Sequence, residues 1–222
     1  MQLSNLARPA GVLYLLIIVF GLTSEIAVRA PLAGLDGEAL IAAIAGAELA
    51  LRLSILADAA MVTFDIALAY FLFRLLSPVS QTLAGLAALF RLAQAAVIAG
   101  NLATQYEALV WAQAGKADLA RHALDLHAVG YDIGLIFFGV NSLLTGILLV
   151  NSRIFARVLG WLLGAAGLVY MIGSTLRVLS PDTAEIFMPA YLVAVVAELS
   201  FAIALLRKNR QSVRVGSAEL LA

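Results

Sequence analysis

Six stretches of this chain stay apolar for about 20 residues or more, the length an α-helix needs to cross a bilayer. They cover roughly 9–29, 53–76, 80–104, 126–150, 155–178 and 186–206. Short polar breaks separate some of them. Ser77-Pro78-Val79-Ser80 divides the second from the third, since proline ends one helix and can open the next. These two spans are therefore predicted to form an antiparallel hairpin. Asn151-Ser152-Arg153 makes a similar join between the fourth and fifth spans, and Ser180-Pro181-Asp182-Thr183 between the fifth and sixth.

Two connections are longer. In residues 30–52, Asp36-Gly37-Glu38 is an N-cap signal, and Leu40, Ile41, Ile44 and Leu49 follow at helical spacing. This predicts a short amphipathic helix at the membrane interface. In residues 105–125, Glu107, Lys116, Asp118, Arg121 and Asp125 surround Trp111, which predicts a second amphipathic stretch with Trp111 in the aromatic belt. The first apolar run could pass for a secretion signal, but Ala27-Val28-Arg29 lacks a small last residue and the run continues through Val28, so a retained span is predicted. The pattern as a whole predicts an all-α polytopic membrane protein, a bundle of six transmembrane helices with a short amphipathic helix in the first outer loop. The bundle is expected to occupy residues 1–207, and residues 208–222 to form a basic, disordered cytoplasmic tail. No linker or internal repeat divides the bundle.

Composition agrees with this reading. Of 222 residues, 63% are hydrophobic and 13% charged, against about 45–50% and about 25% in ordinary soluble domains. Net charge is zero, so there is no electrostatic basis for binding nucleic acid; the lipid bilayer is the expected partner. With no cysteine, disulfides, thiolate chemistry and iron–sulfur clusters are excluded. Basic residues set the orientation. With the N-terminus cytoplasmic, the inner side holds Arg8, Arg74, Arg153, Arg157, Arg207, Lys208, Arg210 and Arg214, and the outer side Arg29, Arg52, Lys116, Arg121 and Arg177. Eight against five favours both termini in the cytoplasm, although the tail supplies half of the inner set.

The charges that fall inside spans carry the chemical information. Each costs roughly +2.5 to +3.5 kcal/mol at mid-helix on insertion scales, and such residues usually pair or line a polar cavity. Arg91, Asp65 and Glu198 lie near the centres of the third, second and sixth spans, at similar depth. Gln94 is one turn above Arg91, and Asp58 two turns outward of Asp65 on the same face. Glu25, Asn101, His127, Asp132 and Arg177 occupy the outer third, whereas the inner half holds little besides Asn141. This distribution predicts a pocket open to the outer side, with Arg91, Asp65, Glu198, Asp58, Gln94 and Asn101 as candidate ligand-binding residues. If Asp65 and Glu198 both approach Arg91, repulsion between the two like charges favours a proton on one of them, the physical requirement for a proton relay. The same residues could instead hold helices in register and do nothing more.

His127 and Tyr131 are four apart and share a helical face, with Asp132 partly turned away, so the three are candidate acid–base residues. The only other histidine, His122, is five residues from His127 and on a different face, so no metal or haem is expected. Gly130-x-x-x-Gly134 and Gly160-x-x-x-Gly164, followed by Gly167, are small faces suited to close helix packing, within the chain or in a homodimer.

Several stretches occur together: Arg8-Pro-Ala-Gly-Val-Leu-Tyr-Leu-Leu-Ile-Ile, Leu89-Phe-Arg-Leu-Ala-Gln-Ala-Ala, Asp125-Leu-His-Ala-Val-Gly-Tyr-Asp-Ile-Gly-Leu-Ile-Phe-Phe-Gly and Arg157-Val-Leu-Gly-Trp-Leu-Leu. With these, the chain resembles, over roughly 7–207, the bacterial integral-membrane family catalogued as domain of unknown function 4386. The resemblance implies a six-helix inner-membrane protein and assigns no activity or cofactor. Three functions stay open on the residues: a membrane protein binding or transporting a small ligand or proton; an intramembrane enzyme acting on a lipid-like substrate; and a non-catalytic structural or regulatory membrane partner.

Overall fold

The computed structural model describes residues 3–208, and all of its regular structure is helical. Helix α1, Leu3–Thr23, runs on through a π-helical turn, Ser24–Arg29, and a 3-10 turn, Ala30–Leu32. The short α2 is Gly37–Gly46, followed by α3, Glu48–Leu76, and α4, Gln81–Gln113. Next come α5, Ala117–Asn151, and α6, Arg157–Leu179. Then α7, Pro181–Phe187, passes through the 3-10 turn Met188–Ala190 into α8, Tyr191–Arg207. Six of these units are long and apolar enough to cross a membrane: Asn5–Leu32, Glu48–Leu76, Gln81–Gln113, Ala117–Asn151, Arg157–Leu179 and Pro181–Arg207. The chain is a polytopic helical membrane protein of six spans. Large side chains left uncovered along them, among them Leu56, Trp161, Ile186 and Leu192, are apolar, as a face turned to lipid requires.

The spans form a ring. Each packs against its neighbours in chain order, α1 on α3, α3 on α4, α4 on α5, α5 on α6 and α6 on α8, and α8 closes on α1. The α3–α4 turn is built as its sequence predicts: Ser80 is extended and its hydroxyl accepts from the Leu83 amide at 3.3 Å, capping α4.

The long connections differ from expectation. Residues 105–125 are not a separate interfacial stretch. They prolong α4 and α5 to 33 and 35 residues, about 50 Å each against a hydrocarbon core of about 30 Å. The extensions are stabilised by α2, whose Leu40 and Ile44 are buried with Ala108, Leu109, Ala120 and Leu124. The apolar face of α2 is thus turned onto protein. Asp36 stands at its N-cap position with extended backbone, but its side chain makes no capping bond. Between α4 and α5, Gly115 adopts φ +69°. A side chain there would strain the backbone, so Gly115→Ala should lower unfolding stability in detergent by about 1–2 kcal/mol.

Two spans expected to be continuous are interrupted. Pro31 has no N–H to offer the carbonyl of Ala27, and the first span widens into its π turn just before it. Pro189 breaks the sixth span in the same way, between α7 and α8. Both interruptions lie at the end of the bundle that carries α2.

The glycine faces are used inside the chain. A Cβ on Gly134 would meet Ile98 of α4, one on Gly160 the carbonyl of Gly146, and one on Gly167 the carbonyl of Gly139. Helices α5 and α6 therefore meet backbone to backbone. Residues 209–222, and with them most of the predicted tail, lie outside the described residues. Lys208 is within them: its ammonium donates to the Ile154 carbonyl and lies over the Phe155 ring.

Candidate functional site

The ring closes around a layer to which every span contributes at least one side chain. Arg91 of α4 lies at the centre, 1% exposed. Its Nε donates to Oδ1 of Asp65 on α3 at 2.8 Å. Nη2 comes within 2.6 Å of the same oxygen, too bent to direct either N–H at it. The guanidinium sits between two ring faces, Tyr14 of α1 and Phe138 of α5, each 5.1 Å from the ring centre. Such cation–π contacts strengthen as water is removed. The layer is completed by Glu198 of α8, whose Oε1 accepts from the Tyr170 hydroxyl of α6 at 2.5 Å. Arg91 thus pairs with Asp65, and no cation lies within 4 Å of Glu198 among the described residues. Gln94 adds a bond to the second oxygen of Asp65 at 3.4 Å, leaving its own carbonyl oxygen buried without a partner.

A second polar tier lies toward the α2 end. The π turn brings Arg29 across to α3, where Nη1 donates to Asp58 Oδ2 at 2.5 Å, while Nε donates to Glu25 at 2.8 Å. The same guanidinium lies 5.5 Å from the ring centre of Tyr131. π turns often mark functional positions. Asn101 donates to the carbonyl of His127 at 2.7 Å, and Gly130 leaves the room it needs. The His127 Nδ1 lies 3.2 Å from the Asn101 carbonyl oxygen, 3.3 Å from the Asn101 side-chain nitrogen and 3.4 Å from the Thr104 hydroxyl, and the other ring nitrogen is Nε2. That Nε2 is buried without a partner, as are Asp58 Oδ1 and Arg29 Nη2.

His127 and Tyr131 share a face, with ring centres 6.2 Å apart. Asp132 turns away from both, accepting from Ser174 at 3.0 Å and pairing with Arg177, both on α6. The three candidate acid–base residues therefore do not converge on one point. Among the described residues, no three His, Asp or Glu side chains come together as a metal would require. The remaining candidates fall into the two tiers, Arg91, Asp65, Glu198 and Gln94 in the central one and Asp58 and Asn101 in the other.

Four participants are not singled out in the sequence. Tyr14, Phe138 and Tyr170 sit in apolar runs where an aromatic reads as packing. Arg29 reads as a charge on the outer side, although Glu25 four residues earlier is the usual spacing of a helical ion pair.

No curated protein and no solved structure matches this chain. A profile of the family described as Domain of unknown function (DUF4386) does match, over residues 9–208. That stretch takes in the whole central layer and the whole second tier, and the chain belongs to this family.

Proposed function

We propose that the axis of the ring is a binding column for a proton or a small polar ligand, with Glu198 as the group that exchanges a proton. The observation that carries this reading is the unequal treatment of two carboxyls in one layer. Among the described residues, Asp65 holds the only cation in contact with either carboxyl, and Glu198 is left with a phenol. A buried carboxylate without a partner cation is expensive, and taking up a proton removes the expense. Asp58, Arg29 and His127 extend the column toward the α2 end with three further polar atoms that have no partner.

The column also has a direction. Arg8, Arg74, Arg153, Arg157, Arg207 and Lys208 gather at the end opposite α2, where no described Asp or Glu is found. Four of the five cations at the α2 end are paired with carboxylates. By the preference for basic cytoplasmic loops, the basic end faces the cytoplasm of a bacterial inner membrane and the α2 end faces outward.

The test is proton equilibration in reconstituted vesicles carrying a trapped pH-sensitive dye under an imposed pH gradient. Glu198→Gln should reduce the flux to that of protein-free vesicles. Glu107→Gln, altering a carboxyl on the exposed surface of α4, should leave it unchanged. Flux through monodisperse Glu198→Gln protein equal to the unaltered chain would exclude Glu198 from this role.

A further inference from the structure

The polar column is expected to open toward the outer side, yet the cavity that touches it lies on the other side of Arg91. This cavity, about 10 Å³, is room for about one water molecule. It lies between α3, α4 and α5. Along α4 its wall runs from Ala84 to Arg91, about 10 Å of helix. Along α3 it reaches Leu76, the last residue before the α3–α4 turn, and along α5 it runs from Asn141 to Leu148. The space exists because α4 presents only Ala84, Ala87 and Ala88 there.

We infer that this cavity is a water-binding inlet that connects Arg91 to the basic end of the bundle. Three observations carry the inference. Arg91 lines the cavity, and its Nη2 is buried with neither N–H directed at an acceptor, so a water oxygen there would satisfy it. Thr145 gives the wall a hydroxyl, and Asn141 adds a polar side chain whose amide donates to the Ala87 carbonyl and accepts from the Ser142 amide. The other lining residues are apolar, small on α4 (Ala84, Ala87 and Ala88) and reaching Leu76 beside the Ser77–Ser80 turn on α3. The occupant is water and not an anion, because Asp65 already neutralises the guanidinium. The inlet approaches the central layer from the side opposite the Arg29–Asp58 tier. The inlet goes beyond the proton-binding role of Glu198 and does not depend on it.

The absence of cysteine makes the inlet directly testable. Single Ala88→Cys, Thr145→Cys and Ala95→Cys variants would be placed in sealed vesicles and exposed to silver ion, which is near water in size, from one side at a time. Thiols still free would then be counted with a maleimide after unfolding. Silver supplied from the basic end should protect Ala88→Cys and Thr145→Cys, and should not protect Ala95→Cys, which is buried beyond Arg91. Adding Ala84→Leu should abolish protection of Ala88→Cys by filling the inlet. Full maleimide reactivity at both cavity positions would overturn the inlet. So would equal protection at Ala95→Cys, or protection only from the α2 end. If Thr145→Cys does not fold, Ala88→Cys with and without Ala84→Leu decides alone. Because no variant touches Glu198, failure here leaves the proton-exchange reading to its own measurement.

Discussion

Asp65→Leu should lower the unfolding stability of the bundle by about 3–5 kcal/mol, the usual cost of stranding one member of a buried ion pair. Asp65→Leu combined with Arg91→Met should regain most of that loss. The pair is almost completely enclosed, with side chains 1% and 2% exposed. With Asp65 gone, the guanidinium keeps only the two ring faces and has no anion in contact. With both gone, two desolvation penalties disappear together, which is why apolar replacements of buried pairs are often neutral or stabilising. Denaturant titration of the single and double variants in micelles measures this directly. A double variant as unstable as Asp65→Leu would show that each residue contributes separately to the fold. A double variant that is stable but no longer equilibrates protons would place the pair in the binding column and rule out a merely structural role.

Gly160→Ala should destabilise the protein by about 1–3 kcal/mol, because it overpacks a filled contact. Gly164→Ala, one turn along the same helix, should stay within about 0.5 kcal/mol of the unaltered chain. In the sequence these two glycines look equivalent, as the two ends of one small-residue motif. In the ring they are not. A Cβ on Gly160 would lie 2.6 Å from the Gly146 carbonyl oxygen and 2.7 Å from the Val150 amide nitrogen, and backbone cannot rotate away. A Cβ on Gly164 would meet nothing nearer than a Leu143 methyl at 3.9 Å. Thermal unfolding of the two variants side by side separates them. Equal losses would show that α5 and α6 are not in backbone contact at Gly146.

These two cases also show what a sequence can carry. The six spans, their order and the turn at Ser77–Ser80 were legible because each depends on local signals: run length, proline placement and a capping serine. The depth of Arg91, Asp65 and Glu198 was legible too, since depth follows from counting along a helix. What was not legible depends on azimuth and on partners from other spans. Arg91 takes Asp65 and leaves Glu198 to Tyr170 because ring closure sets which faces meet, and no spacing within one helix encodes that. The broken first and sixth spans were missed although Pro31 and Pro189 are plain in the chain, because both sit at the margin of an apolar run, where a proline reads as an ending. The cavity below Arg91 was missed for a different reason. Alanine counts as filler in an apolar pattern, and three of them on one wall become a space only when the opposite helices are in place.

The Ser77–Ser80 turn has a consequence for how the bundle comes into being. Asp65 and Arg91 stand 26 residues apart on consecutive spans of a single hairpin, so both are present as soon as the third span leaves the ribosome. Neither charge has to wait in the lipid for a distant partner. Within the hairpin these two charges cancel, and each side chain shields the other from the moment of insertion.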